Sequence, residues 1–250
     1  MSSPDTNQWL LECYERPIEL CRKLTSYFRG ATAGQIYDHL TFHGLYSYPT
    51  KPAKQVVSEL QRLQAWDIVQ KEIKLLRKEW QGPQIPTFIL PAHSTKSGLA
   101  FNDKLFIFLP PDCSESEIKA VVTHEYHHVC RLSRFFQKES DYTLLDAIVL
   151  EGLAEHAVRE RLGSQLVASW TNWYTTSQLE EFWDTLFFPN RQLPKSSWAH
   201  EHLVNGTAGN PRMAGYAVGY FLVGRYMKSS GLTTAGLLGV SAEQMVKKLS

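Results

Sequence analysis

The chain reads as an α+β protein, mainly helical, with a small β-sheet and an N-terminal helical region. Three observations carry this reading. Apolar residues recur at helical spacing, most persistently across 53–80, where Val56, Leu60, Leu63, Ile68, Ile73, Leu76 and Trp80 mark one stripe. Only two short runs, 85–90 and 104–109, have the β-branched and aromatic density of strands. Gly82-Pro83 then separates two textures, a helical region at 1–81 and a mixed region at 82–250.

The elements follow in order. Residues 5–29 form a helical stretch closed by Gly30, and a short helix covers 34–43. Pro49 and Pro52 break the chain before the helical stretch 53–80. The two strands come next, the second ended by Pro110-Pro111. Ser114 with Glu117 three residues on is a capping-box pattern, so a helix runs from 115 to 136. A further helix spans 141–161, and the aromatic-rich segment 164–187 is helical. Residues 188–211, rich in proline and glycine, form a long loop of the kind that often carries function. Helices at 212–228 and 242–249 complete the chain.

Composition bounds the function. The 250 residues carry 26 Lys and Arg against 25 Asp and Glu, a net charge of +1, so no bias toward nucleic acid or an anionic membrane is expected. No run approaches the roughly 18 apolar residues of a membrane span. The N-terminus lacks the pattern of a secretory signal. Cys13, Cys21, Cys113 and Cys130 form no CxxC pair and read as reduced thiols, hence a cytoplasmic protein. The oligomeric state is not legible.

The chemistry concentrates at 124–128, His-Glu-Tyr-His-His. His124 and His128 stand four apart and share one face of a helix, where both imidazoles can bind a single zinc ion. Glu125 lies about 80° from the midline of that pair, at roughly 100° per residue. There it can touch a metal-bound water without being a ligand. His127 could pair with His124 instead, but Glu125 would then point away, so His127 is a flanking residue.

The next helix supplies the rest. The run 144–150 is mostly apolar, yet Glu151 and Glu155 stand four apart just after it. A buried, unpaired carboxylate costs several kcal/mol. Zinc held by the two histidines would offset that cost, with Glu151 as third protein ligand. Glu155 could accept the other ring N–H of a zinc histidine and fix its tautomer. His156 lies off this stripe.

These residues resemble the gluzincin metallopeptidases, the thermolysin-like group. In that group a glutamate on the following helix is the third ligand, and an acidic residue four further on bonds a zinc histidine. Here that position is glutamate, where thermolysin-like enzymes usually have aspartate. The runs 98–109 (Gly-Leu-Ala-Phe-Asn-Asp-Lys-Leu-Phe-Ile-Phe-Leu), 124–131 (His-Glu-Tyr-His-His-Val-Cys-Arg), 151–155 (Glu-Gly-Leu-Ala-Glu) and 215–220 (Gly-Tyr-Ala-Val-Gly-Tyr) are similar to a bacterial family of predicted zinc-dependent proteases, the YjaZ-like group. The resemblance covers residues 60–250. It implies a zincin-like catalytic domain at 82–250 and a strand edge at 104–109 open to an extended peptide.

The expected activity is zinc-dependent peptide hydrolysis, with one Zn2+ per chain, a peptide or protein as substrate and Glu125 as general base. An oxyanion donor is also needed. Tyr216 is the first candidate because it lies near its helix start, with Tyr220, His200 and His202 as rivals. The alternative is a zincin-fold module that binds peptide or protein without cutting it. An intact Glu125 argues against that, since binding needs no base.

Overall fold

A computed structural model describes residues 4–135 and 141–247. It is mainly helical with one three-stranded sheet, as the sequence predicts. Packing of the backbone divides the chain into residues 1–129 and 130–250. The division falls inside one continuous helix.

The first unit begins with α1 (Thr6–Cys13) and α2 (Pro17–Leu24). The sequence reads as one helical stretch here, but Pro17 lacks the N–H that a continuous ladder needs and restricts Arg16 before it. It therefore starts a new helix at its first position. After α3 (Ala33–Phe42), capped reciprocally by Thr32 and Gln35, the stretch 53–80 is likewise two helices, α4 (Ala53–Arg62) and α5 (Ala65–Trp80). Gln64 breaks the ladder in the left-handed conformation, at φ 54°. That break has no glycine or proline to announce it.

The sheet has the order β1-β3-β2, with β1 (Thr87–Pro91) parallel to β3 (Leu105–Leu109) and β2 (Ser97–Ala100) antiparallel to β3. β1 and β3 are buried along their whole length, and Phe88 stacks on Phe106 at 4.7 Å. Two expectations are corrected here. The strand at 104–109 is the central one, paired on both sides, so it offers no edge to a peptide. The edges are β1 and β2, and the sequence reading missed β2 because its four residues have no apolar alternation.

The long helix α6 (Glu115–Arg134) follows. Its capping box forms as the sequence predicts: the Ser114 hydroxyl and N–H donate to Glu117 at 2.7 and 3.0 Å, and the Glu117 N–H returns to Ser114 Oγ at 3.3 Å. These two donors, with Lys96 at 3.2 Å, push the Glu117 carboxyl down to about 2. The last two residues expected in this helix are Phe135, a bend, and Phe136, which lies outside the described residues.

The second unit is helical. α7 (Leu144–Leu162) starts on a Thr143–Asp146 capping box and ends at Gly163. The aromatic segment is less regular than expected, with short 3-10 turns before α8 (Thr176–Phe182) and a π turn after it. The expected loop at 188–211 contains a helix, α9 (Trp198–Asn205). Then come α10 (Ala214–Ser230), a short α11 (Thr234–Leu237) that the sequence reading missed, and α12 (Ala242–Lys247). The core joins Leu145, Ile148, Val149 and Leu153 of α7 to Val218, Leu222 and Val223 of α10. No helix among the described residues is long and apolar enough to cross a membrane. All four cysteines are buried, and none of them forms a disulfide.

Candidate metal centre

α6 sorts its pentapeptide onto two faces. Tyr126 and His127 are fully buried on one. The Tyr126 hydroxyl donates to the Pro83 carbonyl at 2.6 Å, its ring stacks over Trp80, and His127 meets the Trp80 ring edge-on at 5.1 Å. His127 thus belongs to a core interaction with α5. His124 and His128, on the other face, place their rings 4.6 Å apart and nearly perpendicular. His124 is half-buried and His128 buried.

Glu125 is buried beside β2. A Cβ at Gly98 would fall within the Glu125 side chain, so only glycine lets the strand lie this close to the carboxylate. The sequence reading placed no strand here, so the need for glycine shows only once the partner opposite it is known.

On α7, Glu151 is half-buried and Glu155 buried. Glu155 Oε1 accepts the N–H of Ala168 in a short bond. His156, one residue on, is also buried. Its Nε2 donates to the Tyr220 carbonyl at 2.9 Å, which fixes the tautomer, and its ring stacks on that of Tyr220 at 3.9 Å. Burial pulls its pKa down to about 4, against a smaller upward pull from the Tyr220 carbonyl, so it is neutral at pH 7.

The candidate oxyanion donors differ in their surroundings. The Tyr220 hydroxyl accepts from Arg159 Nη1 at 3.1 Å. Tyr216, in the first turn of α10, is half-buried with its ring 5.5 Å from Trp170. His200 is buried on α9, with its pKa lowered by burial and partly restored by the backbone of Thr143. His202 bonds Thr207 Oγ1 and lies against Trp198.

Among the described residues, His124, His128 and Glu151 form a group that could hold a metal ion, with one ligand atom from each and all three atoms within 4.8 Å of one another. Two imidazoles and one carboxylate suit zinc, whose tetrahedral bonds of about 2.0–2.2 Å place ligand atoms roughly 3.4 Å apart. Three protein donors leave a fourth position for water or substrate, as in catalytic rather than structural zinc sites.

Comparison with known proteins gives a consistent picture. Residues 65–247 match the model of a family described as a predicted Zn-dependent protease (DUF2268). The uncharacterized protein YjaZ of Bacillus subtilis is 38% identical over 256 aligned positions, covering 97% of each chain. The uncharacterized protein YjfC of the same organism is 25% identical over 142 positions, covering 52% of this chain and 46% of its own. No solved structure matches the chain.

Proposed function

Because the chain belongs to the family of predicted Zn-dependent proteases, we propose that it hydrolyses peptide bonds at a single zinc ion held by His124, His128 and Glu151. The observation that carries this reading is the convergence of those three donor sets, with Glu125 next to the first histidine. The catalytic part in this reading is 82–250, with 1–81 as a helical region preceding it.

Bound zinc would polarise the scissile carbonyl and bring the pKa of a water down to about 7. The remaining work falls to the chain. Glu125 takes the proton from the attacking water at its carboxylate and passes it to the leaving nitrogen. Its buried place beside Gly98 keeps bulk water away from that transfer. Glu155, anchored on the Ala168 N–H, orients an imidazole of the metal-binding pair. Tyr216 donates its hydroxyl to the oxyanion. We assign this to Tyr216 because it stands in the first turn of α10, whereas the Tyr220 hydroxyl is bonded by Arg159. The edge strand β2 takes the substrate in extended form, since that strand runs alongside Glu125.

The test is metal content together with turnover of a mixed peptide library. Wild type should carry one zinc and cut peptides. Glu125→Gln should retain the metal and lose at least about a hundredfold in rate, in line with loss of a general base. Hydrolysis undiminished in that variant, or no zinc after gentle purification with zinc added, would overturn the reading. Zinc with peptide binding but no turnover in wild type would favour the non-hydrolytic alternative.

A further inference from the structure

The first unit holds a groove of about 400 Å³, open to solvent on one side, that the proposed chemistry does not use. Its walls are the stripe Trp66, Val69 and Ile73 of α5 and the alternating Ile85 and Ile89 at and before β1. Its volume lies in the range of small-molecule sites. The Trp66 indole N–H already donates to Thr6 Oγ1 at 2.9 Å, so its ring serves as an apolar wall.

The polar side of the groove has one sign. Lys74 and Arg77 line it, one and two turns from Gln70 on the same helix face. Neither makes an ion pair among the described residues, and Arg77 Nε is buried without an acceptor. A guanidinium stays charged at any physiological pH. An apolar groove with a half-buried arginine at its wall, its Nε without an acceptor, matches an apolar tail carrying an anionic head.

We propose that this groove is a binding site for a medium-chain carboxylate, whose chain fills the space between α5 and β1 and whose carboxylate bonds Arg77 with Lys74 beside it. The site is independent of the zinc reading, because every residue in it lies outside the metal group.

Decanoate titrated calorimetrically into the full chain tests it, with decanol and decyltrimethylammonium as probes of the head group. Decanoate should bind once per chain, and the two other amphiphiles at least about tenfold more weakly, the loss expected when a charge-assisted bond is missing. Arg77→Gln should weaken decanoate by a similar factor, and the exposed Lys74→Gln by less. Ile73→Trp, which fills the groove, should abolish binding. Circular dichroism controls for the fold of each variant, and Glu125→Gln should bind decanoate as wild type does. The proposal falls if decanoate fails to bind at millimolar concentration, if the three head groups bind alike, if Arg77→Gln and Lys74→Gln both leave affinity unchanged, or if an apolar peptide displaces decanoate at lower concentration.

Discussion

Gly98 and Glu125 show how much a single atom can decide. The glycine is needed because a methyl group would occupy the space of the carboxylate. Gly98→Ala should therefore leave the fold and zinc content intact, since a flexible side chain can swing aside, yet lower turnover by at least about tenfold by misplacing the base. Metal analysis and peptide kinetics on the same sample check both halves. His156 makes a prediction in pH. Its pKa falls from 6.5 to about 4 on folding because burial penalises the charged form. Acid therefore protonates the unfolded chain first, and stability is lost as pH drops from about 6.5 to about 4. Between pH 7 and pH 5 this group alone should cost about 2 kcal/mol. His156→Gln should remove that part of the slope in urea titrations at the two pH values. His200 is shifted in the same direction and accounts for part of what remains.

At the scale of elements, the packing of α7 on α10 sets the geometry of the second unit. A Cβ at Gly219 would fall on the carbonyl of Ile148, and one at Gly152 on the carbonyl of Gly219. Both obstacles are backbone and cannot give way. Gly219→Ala should therefore push the helices apart and destabilise the protein by about 1–3 kcal/mol, as overpacking does, with denaturant unfolding as the readout. Moving α10 also moves Tyr216, so turnover should fall further than stability does. Much of the element order was readable. The capping box at Ser114 and Glu117, the strands near 85–90 and 104–109, and the main helices all carried local signals. The misses share a cause. Gln64 breaks a helix without a breaker residue, β2 is too short for a period, and α9 hides among prolines and glycines. Each is decided by tertiary neighbours rather than by its own residues.

For the whole molecule, the proposed metal ties binding to stability. Zinc that binds the folded chain only, at a hundredfold over its dissociation constant, should stabilise it by about 2.7 kcal/mol. Calorimetric melting with chelator and then with zinc should show the shift, and His128→Ala should erase it. A melting point indifferent to zinc would contradict the ligand assignment. The sequence by itself determined the class of fold and singled out His124 and His128 as candidate ligands, because helical periodicity and their four-residue spacing are properties of a helix alone. It also separated His128 from His127, since the angle around one helix already assigns them to different faces. Tertiary structure alone decided which strands lie at the sheet edges, that Gly98 abuts Glu125, that Arg159 and His156 engage Tyr220, and that an apolar groove lies against Arg77. Those facts depend on which elements meet, and close packing between elements distant in the chain leaves no local pattern to read.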